Sequence, residues 1–326
     1  MTFDVLLTRK IPQPAIDKIE QNNVNLEINP HDRVMTKKEI IKKVKGKDGL
    51  LCLLTDQIDE EVITAGGKKL KIIANYAVGY NNIDIKAAAK KGIPVTNTPG
   101  VLTEATADLT MALLLSIARR IVESDKFTRA GKFNGWGPML HIGGDVTGKT
   151  IGIIGLGRIG SAVAKRAAKG FDMKVLYYNR SKKPKIEKEL GAEKVELKTL
   201  LKKADYVTLH VPLTGETHHL IGKKELEMMK ETAYLINTSR GPVVDEQALV
   251  EILQTKQITG AALDVYENEP KVTDGLKTLD NVILTAHIGS ATRDTRTKMG
   301  LIAAENLLAG LEGKTPPNIV NKEFLK

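Results

Sequence analysis

Cysteine is nearly missing from this chain: Cys52 is the only one in 326 residues, so neither an intramolecular disulfide framework nor a cysteine-based zinc cluster can form. That usage predicts a reducing, cytoplasmic setting. Cys52 stands in the apolar run Gly49-Leu-Leu-Cys-Leu-Leu54, where a buried, inert thiol is expected rather than a nucleophile. Aromatic residues make up only 4%, too few to offer stacking platforms to a single-stranded nucleic acid. No apolar run is long enough to cross a bilayer, which takes about 20 residues; the apolar part of 109–117 ends at Arg119-Arg120. The first residues open on a strand pattern, without the basic start, apolar stretch and small-residue cleavage site of a secretory leader. The formal charge of +10 comes from scattered lysines such as Lys37-Lys38, Lys42-Lys43 and Lys202-Lys203 rather than one block. These read as solvated helix faces, so neither a nucleic acid nor a membrane partner is expected. The absence of G-x-S-x-G counts against hydrolase chemistry of the nucleophile-elbow kind.

What the chain does have is regular alternation. Apolar runs at 3–7, 25–28, 49–54, 72–78 and 94–96 alternate with amphipathic stretches such as 14–21 and 37–44, the pattern of a parallel sheet with helices on both faces. A helix pattern over 104–127 follows, long enough for a crossover between domains. Next comes a glycine-rich stretch, 131–139, that holds the sole tryptophan, Trp136. Its ring is equally suited to cover a substrate, to meet a partner subunit or to anchor its own loop. A second alternation has strands at 150–154, 174–178, 206–211, 233–238, 259–265 and 281–285, the Rossmann layout. A closing helix over 292–308, ended by Gly310, is expected to pack with the N-terminal domain. The expected fold class is α/β, with two doubly wound parallel-sheet domains. These are a flavodoxin-like substrate domain of residues 1–100 plus 290–326 and an inserted Rossmann cofactor domain of 101–289.

The motif with the most chemistry in it is Gly155-Leu-Gly-Arg-Ile-Gly160, set between an apolar strand and a helix with small inward residues. Gly155 and Gly157 would let the backbone turn and approach a pyrophosphate, and Gly160 would let the helix pack on the strand. The second strand of such a fold normally ends in an acidic residue that binds the ribose 2'-hydroxyl. Here that place reads Tyr178-Asn-Arg-Ser181. With no carboxylate to repel a phosphate, and with Arg180 and Ser181 able to pair with one, NADP is favoured over NAD.

Three later strand ends carry polar groups: Thr238-Ser-Arg-Gly241, Asn268-Glu-Pro270 and Ala286-His-Ile-Gly289. Strand ends converge in an α/β sheet, so Arg240, Glu269 and His287 can form one cluster. An arginine pairs with a 2-oxo acid through its forked donors. A histidine held protonated by a neighbouring carboxylate delivers a proton as hydride reaches the carbon, and Glu269 would raise the His287 pKa for that purpose. Taken singly, each has an ordinary explanation: a surface arginine, a solvated glutamate and a strand-end histidine. In the first series, Leu54 and Gly79 are candidate substrate contacts at strand ends, although Gly79 also suits a plain turn. His218 and His219 are adjacent, so on regular structure they point different ways, and no zinc-site spacing surrounds them. No metal is expected.

Over nearly its whole length the chain resembles the D-isomer-specific 2-hydroxyacid dehydrogenases, and within them the glyoxylate/hydroxypyruvate reductases. The words that carry the resemblance are Tyr76-Ala-Val-Gly-Tyr-Asn-Asn-Ile-Asp84, Gly155-Leu-Gly-Arg-Ile-Gly160, His210-Val-Pro-Leu-Thr214, Asn237-Thr-Ser-Arg-Gly241, Leu263-Asp-Val-Tyr-Glu267 with Glu269-Pro270, and His287-Ile-Gly-Ser290. The resemblance implies that Arg240, Glu269 and His287 are the catalytic trio, that Asp264 contacts the nicotinamide carboxamide, and that Val78 and Gly79 offer amides to the substrate carboxylate. It also implies a homodimer formed through the cofactor domain, with the Trp136 loop reaching toward a neighbour's active site.

The expected cofactor contacts are Thr106, Gly155, Leu156, Gly157, Arg158, Ile159, Gly160, Asn179, Arg180, Ser181, Val211, Pro212, Thr217, Thr238, Ser239, Asp264, His287 and Gly289. The expected substrate contacts are Leu54, Val78, Gly79, Trp136, Arg240, His287 and Ser290. The expected reaction is reduction of glyoxylate or hydroxypyruvate to glycolate or D-glycerate, NADPH being preferred to NADH. D-lactate or another D-2-hydroxy acid is the alternative substrate, since one methyl group is worth only about 1–3 kcal/mol of discrimination. A dinucleotide-sensing scaffold resembling the dehydrogenase-like co-repressors is the alternative of another class.

Overall fold

A computed structural model describes residues 2–324, and the chain divides into two compact units. The first joins Met1–Leu102 to Ser290–Lys326, and the second is Thr103–Gly289. In the first unit, β1 (Phe3–Leu7), α1 (Gln13–Glu20), β2 (Val24–Ile28), α2 (Lys37–Val44), β3 (Gly49–Leu53), α3 (Glu60–Gly66), β4 (Ile72–Tyr76), α4 (Ile85–Lys90) and β5 (Val95–Thr96) alternate as the apolar runs predict. The strands are all parallel, in the order β2-β1-β3-β4-β5, the flavodoxin-like arrangement. Successive side chains of a strand face opposite ways. Ile72, Ala74 and Tyr76 therefore enter one apolar layer and Ile73 the other. The loop before α2 stops at Thr36 because a capping box closes it: Thr36 accepts from the Glu39 amide and the Glu39 carboxylate accepts from the Thr36 amide.

The second unit opens with two helices where the sequence pattern suggests one. α5 (Thr103–Ala118) and α6 (Ile121–Arg129) are separated by Arg120, which takes a left-handed φ of 53° and pairs its guanidinium with Glu123. The Ala118 carbonyl, instead of continuing the helix, accepts from the Gly144 amide at 2.8 Å. A contact from 26 positions downstream is not visible in local periodicity. There follow β6 (Thr150–Ile154), α7 (Arg158–Phe171), β7 (Lys174–Tyr178), α8 (Pro184–Leu190), β8 (Glu193–Lys194), α9 (Leu197–Lys203), β9 (Tyr206–Leu209), α10 (Lys223–Leu226), β10 (Tyr234–Asn237), α11 (Glu246–Gln254), β11 (Gly260–Leu263) and β12 (Val282–Leu284). The sheet is parallel throughout, in the order β12-β11-β10-β9-β6-β7-β8. The chain runs outward from β6 to β8 and then returns to β9 on the other side of β6. That reversal is the switch point where ligands of such sheets bind. Four strands stop short of their apolar runs, so Val211, Thr238, Val265 and Thr285 lie in the loops beyond β9, β10, β11 and β12.

The chain then completes the first unit with α12 (Arg293–Leu311), capped by Thr292. Its Met299, Ala303, Ala304, Leu307 and Leu311 pack with Val5, Leu7 and Ile72. Gly310 does not end this helix as expected. It lies within it, where a Cβ would stand 2.3 Å from Ile72 Cδ1, and the left-handed residue that ends the turn is Gly313.

Candidate active site

At the end of β6 the glycine turn is built by exclusion of side chains. Gly155 has a φ of +97°, donates its amide to the Tyr178 carbonyl at 2.9 Å, and would drive a Cβ to 2.8 Å from the His210 backbone. A Cβ at Gly160 would stand 2.2 Å from the Gly155 carbonyl oxygen. Gly157 differs: nothing lies within 4 Å of its Cβ position, and it begins α7 without a side-chain cap. Two crowded glycines thus shape the turn, and the open one leaves room for a group to approach the helix N-terminus. That is the cradle a pyrophosphate needs. Leu156 is buried beneath it, while Arg158 is exposed and Ile159 half-buried.

Because Gly155 is bonded to Tyr178, the loop after β7 sits beside this turn. Asn179 Nδ2 donates to the Ser181 carbonyl at 2.9 Å, and Arg180 and Ser181 are exposed. No carboxylate occurs in 178–181.

The loops after β10, β11 and β12 bring the three chemistry-bearing residues together. His287 Nδ1 lies 2.9 Å from Glu269 Oε2, and Glu269 Oε1 accepts from the Tyr266 amide at 3.0 Å. Burial opposes ionisation of Glu269. The His287 and Tyr266 hydrogen bonds and the attraction of Arg240 outweigh it, leaving the carboxyl below its ordinary value. Desolvation draws the Arg240 guanidinium below its usual value, with Glu269 opposing that change. Arg240 Nη1 also donates to the Ser239 carbonyl at 2.7 Å. The cluster therefore sets a cation, an anion and an imidazole side by side.

Buried polar groups hold these loops. His287 has a left-handed φ of 53°, a conformation costing on the order of 1–3 kcal/mol. Asp264, 1% exposed, offsets that cost: Oδ1 accepts from the Ile288 amide and the Thr285 hydroxyl, both at 2.7 Å, and Oδ2 from the Gly289 amide at 2.8 Å. A carboxylate has about four acceptor positions, so Oδ2 keeps one to offer. Asn237 ties down the Arg240 loop, donating to the Arg240 carbonyl at 3.0 Å and accepting from the Ser239 hydroxyl at 2.8 Å. Thr106 donates to the Gly289 carbonyl at 3.1 Å, and Thr110 pairs with Thr238 at 2.9 Å, fixing both loops to α5.

In the first unit, Leu54 follows β3 half-buried, and Val78 and Gly79 follow β4. Asn97 Nδ2 donates to the Val78 carbonyl at 2.8 Å and Asn75 Nδ2 to the Gly79 carbonyl at 2.9 Å. Asn75 and Asn97 escape sequence reading because neither stands in a motif. The one available signal is an asparagine within or just after an apolar run, which once buried needs a partner.

A model of the D-isomer specific 2-hydroxyacid dehydrogenase NAD-binding domain matches residues 111–289. The chain is 52% identical over 325 residues to a glyoxylate reductase of Thermococcus litoralis, covering 98% of this chain and 97% of the relative. The chain belongs to the D-isomer-specific 2-hydroxyacid dehydrogenase family. Among solved structures, the NADPH-dependent glyoxylate/hydroxypyruvate reductase of Sinorhizobium meliloti, in complex with NADP and malonate, superposes with a TM-score of 0.86 at 30% identity, covering 100% of this chain and 99% of that one. The D-lactate dehydrogenase of Escherichia coli superposes with a TM-score of 0.81 at 30% identity, covering 97% of this chain and 99% of that one. The second unit thus contains an NAD(P)-binding domain of this family.

Other residues singled out in the sequence have contacts or exposures of their own. The Thr217 hydroxyl donates to the Pro212 carbonyl at 2.6 Å and accepts from the Thr214 amide at 2.8 Å, closing its own loop. Ser290 accepts through its carbonyl from Arg296 Nε at 3.3 Å. Trp136 is 85% exposed. Cys52 is buried, and burial pushes its thiol well above the ordinary value. Both ring nitrogens of His210 are shielded without a hydrogen-bond partner, and burial lowers its pKa to about 3, which removes it as a proton donor at neutral pH. His218 and His219 do not point apart: their ring centroids are 4.1 Å apart, because His219 takes a left-handed φ of 50° that breaks the regular alternation. Of the described residues, no helix is long and apolar enough to cross a membrane.

Proposed function

We propose that this protein reduces a short 2-oxo acid, glyoxylate or hydroxypyruvate, to glycolate or D-glycerate, with NADPH preferred over NADH. The observation that carries the reading is the Glu269–His287 pair at 2.9 Å with Arg240 beside it, in the same unit as the glycine turn. The names of the Thermococcus and Sinorhizobium relatives support the substrate class.

Arg240 orients the 2-oxo acid and polarises its ketone through forked donors. With Nδ1 engaged by Glu269, the other ring nitrogen of His287 delivers a proton to the ketone oxygen as the carbon is reduced. Glu269 stays ionised, fixes the ring and balances the imidazolium charge. The neutral ring then regains a proton from solvent. A nicotinamide dinucleotide, when bound, supplies the hydride. Gly155, Leu156, Gly157, Arg158, Ile159 and Gly160 would hold its pyrophosphate, and Asn179, Arg180 and Ser181 its adenosine ribose. Asp264 would receive the carboxamide, and Thr106, Val211, Pro212, Thr217, Thr238, Ser239, His287 and Gly289 would complete its contacts. For the substrate, we add Leu54, the Val78 and Gly79 amides and Ser290, with Trp136 reaching toward the site of a neighbouring subunit. In this reading residues 1–100 plus 290–326 form the substrate domain and 101–289 the cofactor domain.

The NADPH preference rests on Arg180 and the missing carboxylate. We propose a homodimer through the second unit, where Phe133, Trp136, Met139 and Ile142 are 53, 85, 78 and 55% exposed. An apolar array of that kind marks an association surface. It borders a concavity of about 1130 Å³ lined by Lys149, Asp205 and Tyr234, at the strand ends opposite the trio. A reducing cytoplasm fits the single buried thiol.

Steady-state assays with glyoxylate, hydroxypyruvate and pyruvate, each with both cofactors, test the reading. Oxidation of NADPH by the first two is expected. No oxidation of either cofactor with any of them would overturn the enzyme reading and leave a dinucleotide-sensing scaffold. For cofactor choice, Arg180→Ala should raise the KM for NADPH about 10- to 100-fold and that for NADH far less; equal losses would remove the phosphate contact.

A further inference from the structure

His218 and His219 lie between β9 and α10, and Glu267 follows β11. Among the described residues they form a group whose imidazole and carboxylate donor atoms all lie within 4.8 Å of one another. We propose that His218, His219 and Glu267 bind one divalent cation of the zinc type, through donors other than those of Arg240, Glu269 and His287.

The donor arrangement is held from the backbone. The His218 amide donates to the Thr214 carbonyl at 3.0 Å and the His219 amide to the Pro242 carbonyl at 2.8 Å. The left-handed His219 turns its ring alongside that of His218, with an interplanar angle of 30°. His219 Nε2 lies 2.7 Å from Glu267 Oε1. The other carboxylate oxygen accepts from the Glu246 amide at 3.4 Å, and the Glu267 amide donates to Glu246 Oε1 at 2.7 Å. Glu246 is 2% exposed, so this reciprocal pair orients Glu267 from the interior, as a ligating carboxylate requires.

Two imidazoles and one carboxylate suit zinc, nickel or copper rather than magnesium or calcium, which take oxygen donors. Metal–nitrogen bonds of about 2.0–2.1 Å put the donors of a tetrahedral site about 3.3 Å apart. His219 and Glu267 are already closer than that, and His218, being exposed, can swing its ring to close the set. Three protein ligands leave a fourth position for water. The ion would tie the loop after β9 to the segment that leads into Glu269.

Titration of the metal-free protein with zinc, read by calorimetry, and with cobalt, read by visible absorption, tests the site. The expected result is one ion per chain, with cobalt bands of imidazole and carboxylate ligation, and a melting temperature raised by zinc. His218→Ala and Glu267→Gln should each weaken zinc at least about tenfold, while His31→Ala, a surface change in the first unit, should keep wild-type affinity. Circular dichroism checks that each variant is folded. Zinc affinity and stoichiometry equal in wild type, His218→Ala and Glu267→Gln would overturn the proposal, as would no uptake by the wild type.

Discussion

Glu267 and Glu269 stand two positions apart and each holds a histidine, at 2.7 Å for His219 and 2.9 Å for His287. The company of each pair separates them. Glu269 and His287 lie beside Arg240, so the pair works against a fixed cation that can hold an anionic substrate. Glu267 and His219 have a second imidazole instead, and a carboxylate braced by Glu246. In the roles proposed above, the same two side chains serve proton delivery in one setting and ion binding in the other. A pairwise distance does not distinguish them; the third neighbour does.

If Arg240 makes the difference, its removal should cost activity heavily and removal of the other group's third member should not. Arg240→Gln should lower kcat/KM for glyoxylate about 10²- to 10³-fold, whereas His218→Gln, which removes the third member of the other group, should change it by no more than about twofold. Comparable losses would erase the distinction.

His210 supplies the contrast of a histidine with no partner. Its pKa is lowered by burial to about 3, against about 6.5 unfolded. Below about pH 6.5 the unfolded chain binds a proton that the folded chain refuses, so stability falls with pH until about 3, by up to about 1.4 kcal/mol per pH unit. Denaturant titrations at pH 7 and pH 5 should show a smaller loss for His210→Gln than for the wild type. Identical losses would mean that the shielded ring does not contribute.

A smaller effect is expected at the loop after β4. Asn97→Ala frees the Val78 carbonyl and should raise the KM for the 2-oxo acid by about two- to tenfold, with kcat changed less. A fall in kcat alone would show that the asparagine does not act through substrate binding.

The glycine turn and the trio are legible in the sequence because each depends on residue type at a strand end: Gly155 and Gly160 admit no Cβ, and Arg240, Glu269 and His287 each follow an apolar run. What escapes notice is set by contacts between distant segments. The break at Arg120 comes from Gly144 capping Ala118. Asn75 and Asn97 matter through carbonyls on a neighbouring loop. His218 and His219 face the same way only because one of them is left-handed, and composition carries no sign of that. The two-residue β8 pairs weakly patterned residues with β7, leaving no apolar run to find.

The central claim is that the Glu269–His287 pair, and not its neighbour, serves the reduction. Turnover of glyoxylate with NADPH by His287→Ala and His219→Ala, in one assay, tests it most directly. His287→Ala should lose about 10²- to 10⁴-fold in kcat, and His219→Ala no more than about twofold. Near-normal turnover by His287→Ala, or an equal loss in both, would contradict the account.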